Sequence, residues 1–141
     1  MDGDNGIEAK LNYPYGIDVD SNGDVYIAAG SLNTVVKYYH ITKKIHLISG
    51  SPVGTKGFTN NVTAVDALMS WPGGVAVLPS GKKIIVSEWD SCTIRIVKND
   101  KIISVAGDNK ICRFQDGIGF NAYLDSPSFI ARNHETGVIL V

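Results

Sequence analysis

Three prolines divide the 141-residue chain into copies of one pattern. Pro14, Pro72 and Pro127 lie 58 and 55 residues apart, and the same residue types recur around each. Alanine stands five positions earlier (Ala9, Ala67, Ala122), and an unbranched or γ-branched apolar residue three earlier (Leu11, Met69, Leu124). A β-branched residue follows three positions later (Ile17, Val75, Ile130), and glycine returns near the same phase at Gly23, Gly81 and Gly137. One such agreement would be coincidence. Five in phase define a repeat, and a repeat unit buries its apolar surface by stacking on its neighbours.

Within each unit, alternation and β-branched content read as strands. The first unit predicts strands over 16–20, 25–29, 34–39 and 44–49, and the second over 74–78, 84–87, 93–98 and 101–106. The third predicts 128–132 and 138–141. Asn22-Gly23 between two alternating runs predicts a primed hairpin turn, which requires positive φ. Four short antiparallel strands per unit describe a blade of a β-propeller, with a β-sandwich as the other architecture to weigh. The expected organisation is a first blade over 11–50, a linker 51–70, a second blade over 71–107, a linker 108–125 and half a blade over 126–141. About two and a half blades leave an open sheet edge and cannot close a ring. Further blades, from a continuing polypeptide or another chain, are expected to complete it.

Composition narrows the function classes. Hydrophobic residues make up 44% and charged residues 19%, enough apolar content for a packed core. The net charge is −1 with signs interspersed, which offers no basic stripe for nucleic acid. No apolar run approaches the roughly 18 residues of a membrane span. The opening residues 1–6 are acidic and polar, without the pattern of a signal peptide.

At this point the chain resembles the NHL repeat family. LNYPYGIDVDSNGDVYIA (11–28) is similar to that family's opening half-blade, and SEWDSCTIRIVKNDKIISVAG (87–107) to its second half. DGIGFNAYLDSP (116–127) resembles the linker between long repeats. The resemblance implies a propeller, a fold that serves scaffolds, receptors and some enzymes alike. The chain departs from the family where Ala29 and Glu88 replace an aspartate ending the second strand. It departs again where Phe129 replaces the glycine present as Gly16 and Gly74.

Several motifs carry competing explanations. Asp18-Val19-Asp20-Ser21-Asn22-Gly23 matches the start of a calcium loop, but the twelfth position is Ala29 rather than the required glutamate. A hairpin accounts for it. Residues 2–6 occupy the linker's place in the repeat and read as a turn. His40, His46 and His134 share no ligand spacing, although His40 and His46 could face each other across a hairpin; no metal or other cofactor is expected. Cys92 and Cys112 fall in loops that a four-stranded blade brings to one face, so they form either a disulfide or two free thiols. Asn61-Val62-Thr63 is an N-glycosylation sequon within a linker. No catalytic triad, phosphate loop or carboxylate pair stands out.

The same topology gathers 30–33, 88–92 and the linkers 50–71 and 107–126 on one face. Loops on a rigid scaffold are where binding usually resides. Glu88, Trp89 and Asp90 are the leading binding candidates, with Phe58, Arg113 and Phe114 beside them. Trp89 either anchors an interface or packs beneath the adjoining linker, and Trp71 is expected between blades. The function expected is a non-enzymatic scaffold binding protein, peptide or glycan. The alternative is a fragment of a propeller hydrolase or lyase with a metal in its channel, for which the inner strands offer only Asp18 at the aligned positions 18, 76 and 131.

Overall fold

The computed structural model describes residues 3–133 and 135–141, so His134 lies outside the described residues. Strands β1 (Pro14–Val19), β2 (Val25–Ala29), β3 (Thr34–Tyr39) and β4 (Lys44–Ser49) form one antiparallel sheet in the order β1-β2-β3-β4. A second antiparallel sheet contains β5 (Val62–Thr63), β6 (Pro72–Val77), β7 (Lys83–Glu88), β8 (Thr93–Lys98) and β9 (Lys101–Gly107), in the order β5-β9-β8-β7-β6. Among the described residues, the third unit contributes β10 (Ala131–Arg132) paired with β11 (Ile139–Leu140). The fold is an all-β partial propeller with four-stranded meanders as its blades.

The repeat extends to its irregularities. Register slips fall between Pro14 and Ile17 and between Pro72 and Gly74, and again between Val35 and Val36 and between Ile94 and Arg95. Such bulges increase local twist at matching places in each sheet.

Two expectations change, and one open possibility closes. Strand β5 was not anticipated, because its two residues lie in a stretch without alternation. It pairs with β9 through Val62 and Ile102, flanked by the Asn61 and Ala64 amides donating to Ile102 and Asp100. The Gly3 and Gly6 amides donate to Ile45 and Lys43 in the same manner, so the acidic opening segment lies along β4 as an edge rather than forming a turn alone. Second, the β1–β2 connection is not a two-residue primed turn. Only Gly23 has positive φ (83°), because Asp20 Oδ1 accepts the amides of Asn22 and Asp24 and widens the loop. The primed signature sits instead at Asn99 and Asp100 (φ 50° and 60°), between the paired Lys98 and Lys101. Third, His46 pairs with Lys37 in the ladder and turns edge-on to Tyr39, while His40 bonds Asp24. The two histidines therefore do not face each other.

The core lies between the two sheets. Tyr26, Ala28 and Val35 from the first meet Val75, Val77, Ile84, Val86 and Val97 from the second. The linker inserts Ala67 and Met69, both fully buried, whereas their counterparts Ala9, Leu11, Ala122 and Leu124 are only partly buried. Burying a methionine side chain contributes roughly 1.5–3 kcal/mol. The inner strands β1 and β6 approach backbone to backbone. A Cβ on Gly16 would lie 2.7 Å from the Gly73 oxygen, and one on Gly74 would lie 2.6 Å from the Ile130 nitrogen. Asp18 Oδ2 bridges the same seam by accepting the Val77 amide at 2.7 Å. Among the described residues, no helix is long and apolar enough to cross a membrane.

Candidate functional site

The β7–β8 turn is held from below by an ion pair. Glu88 Oε1 accepts Arg95 Nη1 at 2.8 Å, and neither side chain is exposed. Glu88 Oε2 accepts the Ser70 amide and the Ser91 hydroxyl, each at 2.9 Å. Arg95 also donates to the carbonyls of Leu68 and Thr59, and its guanidinium lies 4.7 Å from the Phe58 ring centre. Burial pushes the Glu88 carboxyl above its ordinary value, against the opposing pull of Arg95 and the hydrogen bonds. The linker is thereby fastened to blade two, and the turn above it is fixed.

Directly above, backbone pairing sets the aromatic residues. The Trp89 amide donates to the Trp71 carbonyl and the Asp90 amide to that of Ser70. Trp71 has φ 54° and Tyr13, its counterpart one repeat earlier, φ 48°. Ser126 repeats this left-handed geometry before the third proline, at φ 51°. Residues before proline normally avoid helical conformations. Here the left-handed turn is a recurrent part of the blade, and in two copies it carries a large ring.

The Trp71 ring lies 6.1 Å from that of Tyr13 and 6.3 Å from that of Tyr15. Its backbone amide is anchored by Asn33 Oδ1. Gly30 makes room beneath: a Cβ there would sit 3.0 Å from Trp71 Nε1 and 3.2 Å from Tyr15 Cδ2. Tyr15, Trp71, Trp89 and Asp90 enclose an open pocket of about 320 Å³. Tyr15 and Trp89 are 41% and 42% exposed, and Asp90 pairs with Lys56 at 2.8 Å.

The candidates named from sequence therefore separate. Trp89 and Asp90 reach the pocket. Glu88 does not; it is wholly buried and binds Arg95, Ser70 and Ser91 instead. Phe58 is half-buried on Arg95. Arg113 lies over Tyr123 and bonds Gln115, while Phe114 is 81% exposed. Cys92 and Cys112 are joined, with Cα atoms 5.4 Å apart, which ties the 112–114 segment to the same turn. Asn61 is exposed at the outer edge beside β5. Sequence reasoning missed Tyr13, Tyr15 and Lys56 and placed Trp71 only between blades. The first and last of these aromatics directly precede the anchor prolines, a signal the repeat already offered.

A larger cavity, about 630 Å³, lies at the opposite strand ends and is lined by Lys37, Lys82, Lys98 and Tyr26 among others. Its buried cation is already satisfied. Lys37 Nζ is 2.9 Å from Asp24 and 3.2 Å from Asp20, and 4.5 and 4.9 Å from the Tyr39 and Tyr26 ring centres. Burial works against both charges, but their mutual hydrogen bonds raise the Lys37 ammonium, and with His40 they lower the Asp24 carboxyl. Among the described residues no group of three or more His, Cys, Asp or Glu is placed to hold a metal ion.

Stacked antiparallel meanders, glycine-mediated inner strands and linkers returning to a shared loop face define an NHL-type β-propeller segment. The chain matches the Teneurin NHL domain over residues 1–138 and belongs to that family. Solved structures share the fold at low identity. A Bacteroides thetaiotaomicron protein of unknown function superposes with a TM-score of 0.74 at 19% identity, covering 87% of this chain and 32% of its own. An auxiliary nutrient binding protein from Bacteroides ovatus gives 0.71 at 16% identity, covering 94% and 35%. The chain thus spans about a third of the structures it resembles.

Proposed function

We propose that this chain is a non-catalytic binding segment of a propeller, engaging its ligand through the face that carries the β2–β3 and β7–β8 turns and the linkers. The observation that carries this reading is the pair of exposed rings, Tyr15 and Trp89, lining one pocket on the fixed ends of two sheets, with exposed Tyr13 packed on Trp71 beside it. Large aromatic residues on rigid supports are the usual anchors of binding surfaces. The nutrient-binding label of one structural neighbour agrees with a binding role. Further blades, from the same or another chain, would extend this face.

A channel metal site finds less support in these residues. Asp18, the aligned inner-strand carboxylate, spends an oxygen on the Val77 amide. The test is a defined panel of immobilised ectodomains, peptides and glycans probed with the chain and two variants. The reading requires a ligand whose binding is lost in Trp89→Ala and kept in Lys98→Ala, at the opposite strand ends. Binding lost only in Lys98→Ala, or stoichiometric zinc with metal-dependent turnover, would overturn it.

A further inference from the structure

Resting on the loop-face reading above, we infer that the pocket formed by Tyr15, Trp71, Trp89 and Asp90 is a subsite for a neutral saccharide. Three properties of the pocket set the ligand's chemistry. The first is its shape. About 320 Å³ of open space sits at the lower end of small-ligand sites, with room for one or two pyranose rings and not for a folded peptide element.

The second is the flat apolar lining. Trp71 is fixed between Tyr13 and Tyr15, whose planes tilt 48° and 50° to it, and Gly30 lets both Trp71 and Tyr15 settle onto the blade. Trp89 stands across from them on a turn fastened by Glu88 and Arg95. A sugar ring offers C–H faces that lie against such surfaces. Pre-positioned rings lose little freedom on contact.

The third property is charge, and it discriminates between ligands. Asp90 alone among aromatic faces would suit an organic cation. Lys56 lies 2.8 Å from it, so the site carries a matched pair rather than a single charge. A cation meets Lys56 and an anion meets Asp90. A ring bearing hydroxyls can accept from Lys56 and donate to Asp90 together. Both side chains stay partly exposed, at 60% and 35%, so they can turn toward a ligand.

The chain's own fluorescence reports this site, because its two tryptophans are Trp71 and Trp89. Tryptophan emission is titrated with maltohexaose, cellohexaose, laminarihexaose and chitohexaose, with hyaluronan hexasaccharide and choline as charged comparisons. The expected result is a saturable change with at least one neutral hexasaccharide and none with the charged probes. Trp89→Ala should weaken that binding about fivefold to tenfold, from the worth of an aromatic contact. Trp89→Phe should retain most of it, and Lys98→Ala should leave it unchanged. Far-ultraviolet circular dichroism matched to the parent chain certifies each variant as folded. Silence toward all four neutral probes, or preference for choline or hyaluronan, overturns the proposal. If a non-saccharide ligand then binds in a Trp89-dependent way, the saccharide assignment falls while the loop-face reading stands. If the ligand depends on Lys98 instead, both fall.

Discussion

Arg95 and Glu88 form a fully buried ion pair at 2.8 Å, seven residues apart on β8 and β7, and the linker folds over both. Breaking one partner of such a pair leaves an uncompensated buried charge, at a cost of about 3–5 kcal/mol. Arg95→Ala should lose that much stability in urea unfolding. Replacing both partners, as Glu88→Leu with Arg95→Met, would often be neutral for an isolated pair. Here the double variant should remain destabilised, because the Thr59 and Leu68 carbonyls lose their donor as well. A double variant as stable as the parent would show that the pair does not fasten the linker.

The Lys37 cluster makes stability depend on acid. The Asp24 carboxyl is lowered in the folded chain, where burial is outweighed by hydrogen bonds from Lys37 and His40. A lowered carboxylate contributes stability that is present above its unfolded value of 3.8 and lost as pH falls through the folded value. The Asp24 contribution to the unfolding midpoint should therefore hold steady above about pH 5 and drop below about pH 4. Asp24→Asn should lower the plateau and flatten the acid limb. The Lys37 ammonium is raised, so its share persists up to its ordinary 10.5 and declines only at higher pH. An acid limb unchanged in Asp24→Asn would remove this cluster as its origin.

Gly74 illustrates why some positions tolerate only glycine. Its missing Cβ faces the Ile130 nitrogen at 2.6 Å and the Ser87 hydroxyl at 2.7 Å, and its amide donates to that same Ser87 Oγ at 2.9 Å. Gly74→Ala must push β6 away from the third unit, costing about 1–3 kcal/mol as overpacking does. Hydrogen exchange should register the change along β6 and around 128–132 first. Uniform exchange across both sheets would contradict a local clash. Phe129, which follows Pro127 where glycine stands in the other units, is 65% exposed and meets no such constraint.

The blades were legible because propeller strands alternate and their anchors recur. Pro14 and Pro72 open β1 and β6, and the paired bulges keep the phase between copies. What escaped was set by contacts distant in sequence. Glu88 adjoins the polar turn 89–91 and reads as surface, yet the linker at 57–70 closes over it. A hint lay in Ile94-Arg95-Ile96: a guanidinium in the middle of an apolar strand demands an anion nearby. Strand β5 was hidden because two residues cannot show alternation. The pocket was half visible. Trp89 and Asp90 stood out as turn residues, but only the stacking of one blade on the next brings Tyr15 and Trp71 beside them.

The Cys92–Cys112 bond should govern how firmly the second linker and the Trp89 turn are held together. Cys92 is buried at φ 51°, and Cys112 is exposed on the segment that carries Arg113 and Phe114. Closing a loop across 20 positions stabilises by about 3 kcal/mol, chiefly by restricting the unfolded chain. Cys112→Ser is the better variant, since it alters the exposed partner and leaves the left-handed Cys92 backbone alone. It should unfold at lower urea than the parent, and reductant should bring the parent down to meet it. Because Cys92 lies three residues beyond Trp89, reduction should also change the tryptophan emission before global unfolding. Parent and variant with coincident unfolding curves, and both thiols open to alkylation in the native protein, would mean that the linker is held by packing alone.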